Sequence, residues 1–289
     1  MAPTMKTEVE FRLPERTARE LLAPGEGEVV GGIARKLVMN ADSRQFELFR
    51  EMAIDRREKG DELFVSWRIH RSYSERELQN AKALRLIPET TIEPASVELG
   101  TLYDELHECP YCGTGRKQLS SLKVDSPQLP QGVQFAQTIA RDEWICSPGW
   151  AGVISRMRHD GITLAPIESR SEQLRDWMQI QVDPSGYAVQ ILPRTVFGID
   201  PFNRDEDGRY RCPLGHVAGL RVISEACVGV GSMEEVDFAV SDVSVGVKRG
   251  VLRPCRMIFL SVAAWNALRE IGTGGYSVEI AKVDGVEEN

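Results

Sequence analysis

The sequence has few of the residues that carry metal or redox chemistry and no segment suited to a membrane. Among 289 residues it contains 6 cysteines and 4 histidines. It has no run of about 18 apolar residues, which excludes a transmembrane helix. Residues 1–15 lack the apolar core of a secretory signal peptide. We therefore expect a cytoplasmic protein without a membrane partner, whose cysteines are metal ligands, catalytic groups or core residues rather than disulfide partners.

Positive charge is also in the minority. The chain has 35 Lys and Arg against 43 Asp and Glu, a formal net charge of -8. This charge repels polyanions, so nucleic acid is disfavoured as a partner and a basic protein surface is favoured. Hydrophobic residues make up 42% and charged residues 27%, which is typical of a folded globular protein. The length predicts two or three packed units.

Residues 1–95 predict an N-terminal α/β unit. Residues 5–13 alternate apolar and polar side chains as a half-buried strand does, and 43–60 have the apolar spacing of an amphipathic helix. Ser74 and Glu77 have the spacing of a capping box, which predicts that a further helix begins near Glu75. Beyond Pro88 turn residues become frequent, and a new unit is expected to begin.

The segment CPYCG contains Cys109 and Cys112 in a Cys-x-x-Cys followed by Gly113. One tight turn can aim both sulfurs at a single point, and the glycine tolerates a backbone conformation that few residues accept. This is the pattern of a zinc knuckle. A thioredoxin-like redox pair is the less favoured interpretation, because the glycine-rich continuation is a poor start for a helix. Two simple core or surface cysteines are the remaining alternative.

The segment CPLGH contains Cys212 and His216, which supply the other two ligands if one tetrahedral ion is shared. Three thiolates and one imidazole form a closed structural zinc set without an open position for substrate water. The sequence therefore predicts a structural zinc site formed by Cys109, Cys112, Cys212 and His216. The 99 residues between Cys112 and Cys212 are the weak point of this prediction, because compact zinc fingers use much shorter loops.

An internal duplication would explain that gap. Segments beginning at Glu143 and Met257 align without a gap, so that Ser147 matches Ser261 and Gly161 matches Gly275 at an offset of 114. Each segment predicts a strand end, a serine N-cap, an amphipathic helix, a glycine C-cap and a second strand. Coincidence between common β-α-β patterns is the alternative.

The predicted fold class is therefore α+β, with the N-terminal α/β unit followed by two β-α-β pseudo-repeats that a pair of zinc knuckles bridges. The first repeat, residues 96–175, carries CPYCG, and the second, residues 176–289, carries CPLGH.

Over residues 100–289 the chain resembles the double-CXXCG motif proteins, a bacterial group in which two cysteine knuckles precede paired β-α-β segments. CPYCG and CPLGH carry the resemblance. Some members of the group lie beside toxins and are regarded as immunity proteins, so the resemblance implies a partner of that kind. The chain departs from the pattern in two ways: His216 replaces a second cysteine, which still permits zinc, and the N-terminal unit has no counterpart.

Residues outside the ligand set do not predict a reaction. His107 and Cys109 could act as base and nucleophile with Asp104 or Glu105, but a metal ligand cannot also be a free nucleophile. Cys146, Cys227 and Cys255 are expected to be small core residues. No catalytic or cofactor-binding residue is therefore assigned.

The sequence predicts a non-enzymatic protein that binds another protein, such as a basic toxin that it neutralises. One alternative is an enzyme with its site in a cleft between the N-terminal unit and the repeats. A zinc-dependent nucleic-acid binder is a third hypothesis, which would need several arginines to converge on one face. These arginines are residues 204, 209, 211, 221, 249, 253 and 256.

Overall fold

The structure, a computed structural model, describes residues 5–126 and 129–283 and has the predicted α+β class. The helices are α1 (Glu15–Leu21), α2 (Arg44–Glu58), α3 (Glu75–Asn80), α4 (Pro148–Ile154) and α5 (Val262–Ile271). Short 3-10 helices cover Ser96–Leu99 and Glu172–Leu174. The strands are β1 (Lys6–Pro14), β2 (Glu28–Val30), β3 (Ala34–Asn40), β4 (Ser66–Ser72), β5 (Ala83–Pro88), β6 (Thr91–Ile92), β7 (Tyr103–Asp104), β8 (Lys117–Gln118), β9 (Phe135–Thr138), β10 (Trp144–Cys146), β11 (Ile162–Pro166), β12 (Met178–Val182), β13 (Ala188–Val189), β14 (Phe197–Asp200), β15 (Asn203–Arg204), β16 (Arg221–Val222), β17 (Cys227–Val228), β18 (Phe238–Val245), β19 (Cys255–Leu260) and β20 (Tyr276–Val283).

The chain forms two compact units. The smaller comprises Met1–Glu77 and Asp200–Arg204, and the larger comprises Leu78–Ile199 and Asp205–Asn289. The sequence predicted an N-terminal unit that ends at residue 95, whereas the division falls inside α3. The predicted capping box is present, since Glu77 N donates to Ser74 Oγ and Ser74 N to Glu77 Oε2. The helix nevertheless ends at Asn80, because the residues that follow form strand β5 of the larger unit.

The smaller unit is an antiparallel sheet with strand order β2-β3-β1-β4. The alternation predicted for residues 5–13 places Val9, Phe11 and Leu13 in its core. Helix α2, predicted from the apolar spacing of residues 43–60, begins after Ser43, whose side chain accepts a hydrogen bond from Phe46 N. Side chains of α1 and α2 join the apolar face of the sheet in one core.

Aromatic rings fill this core. Phe11 lies 4.6 Å from Phe49 and 4.8 Å from Phe64, measured between ring centroids. Phe202, from the segment that returns to this unit, stacks on Phe11 at 5.6 Å. An ion pair between Arg57 and Asp200 holds the same segment.

The larger unit contains two sheets of similar topology. In the five-stranded sheet the order is β11-β12-β10-β9-β6, and in the six-stranded sheet it is β13-β18-β19-β5-β20-β17. In the first sheet the antiparallel hairpin β9–β10 leads into α4 and then β11, and in the second the hairpin β18–β19 leads into α5 and then β20. In each sheet the strand after the helix runs parallel to the second strand of the hairpin. One antiparallel strand fills the gap between them, β12 in the first sheet and β5 in the second.

The helices of these two β-α-β segments pack against each other. Ser147 caps α4 and Ser261 caps α5, as predicted. The glycine C-cap predicted for both helices is present at Gly272 of α5, but for α4 the prediction is wrong, since Ser155 is its C-cap. A Cβ atom added to Gly149 would lie 2.7 Å from Ile271 Cγ2, so the glycine permits the close approach of the two helices. One hydrophobic core combines residues of both helices and both sheets, including Trp150 and Trp265.

Truncation of Phe11 tests the packing of the smaller unit. We expect Phe11→Ala to lower the free energy of unfolding by roughly 3–5 kcal/mol, because a fully buried ring is replaced by a cavity. Val38 lies on a neighbouring strand with 48% of its surface exposed, so Val38→Ala is a suitable control and should cost about 0.5 kcal/mol or less. Denaturant unfolding measures both, and equal losses would contradict the assigned faces of the sheet.

Candidate metal centre

Two loops of the larger unit supply the predicted ligands. Cys109 and Cys112 lie between the antiparallel strands β7 and β8, and Cys212 and His216 lie between β14 and β16. Each loop folds back on its first cysteine, since Cys109 N donates to Thr114 O at 2.8 Å and Cys212 N to His216 O at 2.9 Å.

A glycine with positive φ closes the turn in each loop. These residues are Gly113, with φ 73°, and Gly215, with φ 82°. A left-handed backbone is easily accessible only to glycine, as the sequence pattern predicted for CPYCG.

The two loops bring all four predicted ligands together. One ligand atom from each of Cys109, Cys112, Cys212 and His216 lies within 4.8 Å of the others. The sulfurs of Cys109 and Cys212, 103 residues apart in sequence, are separated by 3.5 Å. Cys112 Sγ lies 3.3 Å from His216 Nδ1. The geometry is compatible with a metal site.

Burial and hydrogen bonding shape the chemistry of the cysteines. Cys109, Cys112 and Cys212 are each only 6–7% exposed. Burial alone raises the pKa of Cys109, but backbone N–H groups of Cys112 and Tyr111 favour the thiolate, and the net pKa is lowered to about 6. The pKa of Cys112 is raised, mainly by burial.

Basic residues of the loop between β18 and β19 contact the loop that carries Cys109 and Cys112, called here the first knuckle. Glu108 has a 5% exposed side chain and pairs with Lys248 and with Arg253, whose Nε lies 3.7 Å from Glu108 Oε2. A Cβ on Gly113 would lie 2.9 Å from Lys248 Cδ, so the lysine stem crosses directly over the knuckle. Sequence spacing could not predict the contact between Glu108 and Lys248, because the two residues are 140 positions apart.

A buried polar network lies next to the same knuckle. Arg116 has a 4% exposed side chain and donates two hydrogen bonds to Asp142, at 2.6 and 2.8 Å, and one to Glu143 at 3.0 Å. Glu143 also accepts from Thr138 Oγ1 at 2.5 Å and from Tyr103.

The network perturbs the pKa values of its acidic groups. Burial raises the pKa of Asp142 to about 6 against the opposing effect of Arg116. Burial and the charge of Glu143 raise the pKa of Tyr103. The residues of this network form no motif that could be recognised in the sequence. They connect strands β7 and β8, which flank the first knuckle, to the turn before β10.

Other residues that the sequence singled out do not form a catalytic group. The His107 side chain is 74% exposed and bonds Asp104 at 3.0 Å, while Cys109 Sγ faces Cys212. Cys146 is fully buried, which raises its pKa to about 12. Cys227 is also buried, as predicted, whereas Cys255 is only partly so.

Two of the arginines considered for nucleic-acid binding are engaged by carboxylates. Arg211 pairs with Asp205 at 3.1 Å, and Arg253 pairs with Glu105 at 3.8 Å as well as with Glu108. Neither cation is therefore left uncompensated for a phosphate backbone.

A cavity of about 400 Å³ opens beside the turn between α4 and β11. Its lining includes Arg158, His159, Asp160 and Tyr187. Asp237 binds the Arg158 guanidinium with two bonds of 3.1 Å, and Asp160 accepts from Tyr187 N. Arg158 and Asp160 are thus already hydrogen-bonded within the protein, and the lining of the cavity does not indicate a particular reaction.

No protein-family model matches this chain, and no curated protein matches it either. The resemblance to the double-CXXCG proteins therefore stays a prediction. Among the described residues, no helix has the length and apolar character needed to span a membrane.

Removal of the Arg116 guanidinium tests the buried network. We expect Arg116→Met to lower the free energy of unfolding by about 3 kcal/mol, because Asp142 and Glu143 would remain buried without their cation. Arg158→Met is the matched control: its 61% exposed side chain makes a comparable pair with Asp237, and its loss should cost about 1 kcal/mol or less. Chemical denaturation compares the two, and an equal loss would show that burial does not decide the strength of these pairs.

Proposed function

We propose that this chain is a zinc-binding protein in which Cys109, Cys112, Cys212 and His216 hold one structural ion. The observation that carries the proposal is the convergence of these four ligand atoms within 4.8 Å. The proposed role of the ion is to fasten together two loops that are distant in sequence.

The chemistry of the donor set favours zinc. Thiolates and imidazole are ligands that Zn²⁺ accepts in tetrahedral geometry, at about 2.3 Å for sulfur. That geometry implies sulfur–sulfur separations of roughly 3.8 Å, close to the 3.5 Å between Cys109 and Cys212. Four protein ligands leave no position for substrate, so the proposed ion is structural.

The strand topology supports the proposed duplication. Strand β5 precedes the first knuckle in sequence but lies between β19 and β20, whereas β12 precedes the second knuckle and lies between β10 and β11. The short strands β6 and β13 then pair in parallel with the first hairpin strand of their own segments. We infer two repeats that exchange their leading strands.

Equivalent hydrogen bonds around the helix caps also support this duplication. Ser147 Oγ donates to Gln134 Oε1 and Ser147 N to Gln134 O. Ser261 makes the same two bonds, from Oγ to Asp237 Oδ1 and from N to Asp237 O. In both cases the acceptor residue lies just before the first strand of the hairpin. A chance resemblance of patterns would not require these matching contacts.

The proposed biological role is non-enzymatic binding of a basic protein, such as a toxin that this chain neutralises. The net charge of -8 favours such a partner. Tyr111 and Leu214 follow the first cysteines of the two knuckles at the same spacing and are 61% and 60% exposed. Exposed apolar side chains at matched positions provide anchors for a partner.

Metal analysis tests the zinc proposal. We expect untagged protein to carry one zinc ion per chain, and Cys212→Ser to lose the ion and melt at a lower temperature, because metal binding contributes to folding. Cys255→Ser is the control, since Cys255 is a cysteine of the same unit outside the ligand set. Native mass spectrometry and elemental analysis give the stoichiometry, and an unchanged metal content in Cys212→Ser would refute the site.

The binding proposal makes a separate prediction. Native mass spectra of protein purified from its own host should contain a basic partner, whose association weakens at high salt. Tyr111→Ser combined with Leu214→Ser should reduce affinity for that partner at least tenfold, or about 1.4 kcal/mol. Ile33→Ser, at an 80% exposed position of the smaller unit, should leave it unchanged. A bare monomer from the host would count against this role without affecting the zinc site.

A further inference from the structure

The four ligands divide into two close pairs. The first pair is Cys109 and Cys212, whose sulfurs from different loops lie 3.5 Å apart. The second pair is Cys112 and His216, with 3.3 Å between Sγ and Nδ1, and Thr114 Oγ1 lies 3.2 Å from the same sulfur. Cys109 and Cys212, whose sulfurs can form a disulfide, thus belong to different knuckles.

We propose that the metal centre is also a redox switch, in which a peroxide oxidises Cys109 and Cys212 to a disulfide and the zinc ion leaves. This inference rests on the proposed zinc site. Loss of two thiolates leaves only Cys112 and His216, and two ligands do not complete the tetrahedral set that retains zinc.

The reaction balances with hydrogen peroxide as the oxidant. One thiolate attacks a peroxide oxygen and breaks the O–O bond, giving a sulfenic acid and, after protonation, water. The second thiolate attacks this sulfur and displaces hydroxide, which takes up a proton to form a second water. Two thiolates, one peroxide and two protons thus yield one disulfide and two waters. Each sulfur loses one electron, and zinc is released as Zn²⁺.

The position of the disulfide decides its structural effect. A link between Cys109 and Cys212 spans 103 positions and fastens the same two loops as the metal. A disulfide stabilises more when it closes a longer loop. A link between Cys109 and Cys112 would close only one short turn and leave the second knuckle free. Oxidation of Cys109 and Cys212 therefore replaces the metal cross-link by a disulfide between the same two loops and retains the fold.

The knuckles place this pair close to the surface. Cys109 and Cys212 are 6% and 7% exposed, while Tyr111 and Leu214, two positions beyond each, are 61% and 60% exposed. Both cysteines thus keep a small accessible fraction for a small oxidant. Cys146, at 0% exposure, serves as an internal comparison within the same chain.

The experiment treats the zinc-loaded full-length protein with hydrogen peroxide in the presence of a chromogenic zinc chelator. We expect release to rise from near zero to about one zinc per chain, with an intact mass two hydrogens lower. Peptide mapping should join Cys109 to Cys212 and find Cys146 unmodified. Dithiothreitol followed by zinc should restore the original mass and metal content.

Variants locate the disulfide independently. Cys112→Ser should still form the link between the knuckles, whereas Cys109→Ser and Cys212→Ser should not. Mapping of the wild-type protein decides the question even if a variant fails to fold. The oxidised metal-free protein should also melt at a higher temperature than the reduced metal-free protein.

Three outcomes would overturn the switch. They are zinc retention throughout the treatment, a link between Cys109 and Cys112, and over-oxidation without a cross-link. Each of these leaves the proposed zinc site intact if the reduced protein carries one ion. Reduced protein that carries no zinc would instead refute the proposed zinc site, and with it the proposal that oxidation releases zinc.

Discussion

The larger unit depends on the filling of a gap one strand wide in each of its two largest sheets. A strand–helix–strand segment returns parallel to its starting strand but leaves a position between the two. That position must be filled, because unpaired backbone groups within a sheet are costly. In one sheet the position is filled by β5, which comes from a part of the chain remote from that sheet's hairpin. In the other it is filled by β12, the strand that follows β11 directly in the chain. Leu84 and Leu86 of β5 thereby enter the core that also holds Trp150 and Trp265.

The candidate metal centre follows from this arrangement. Two loops 103 residues apart can present their ligands to each other only after the strands that flank them are in place. The short pairs β7–β8 and β14–β16 fix the bases of the loops, and Arg116 ties the first pair to the turn before β10. A metal ion would then stabilise a convergence that the surrounding fold already favours, which suits a structural role better than a catalytic one.

Local patterns were sufficient to predict local structure. The serine caps of α4 and α5 and the strand over residues 5–13 were predicted from spacing, because each depends on residues close together in the chain. Spacing also predicted the pairs Cys109–Cys112 and Cys212–His216, which the structure brings together in one cluster. The residues after the capping box illustrate the limit. Helix α3 ends at Asn80, since pairing of β5 with β19 and β20 outweighs any local preference. The contacts of Glu108 with Lys248 depend on the tertiary fold, and spacing could not have revealed them.

Charge explains why a histidine suits the fourth position of the proposed zinc site. Four thiolates around Zn²⁺ would carry a net charge of -2, whereas three thiolates and the neutral imidazole of His216 carry -1. A buried charge without compensation is costly. Lys248 and Arg253, whose side chains pack against Gly113, are already paired with the buried carboxylate of Glu108. A second uncompensated thiolate would compete with Glu108 for them, so the imidazole preserves both the metal set and the contact that holds the first knuckle.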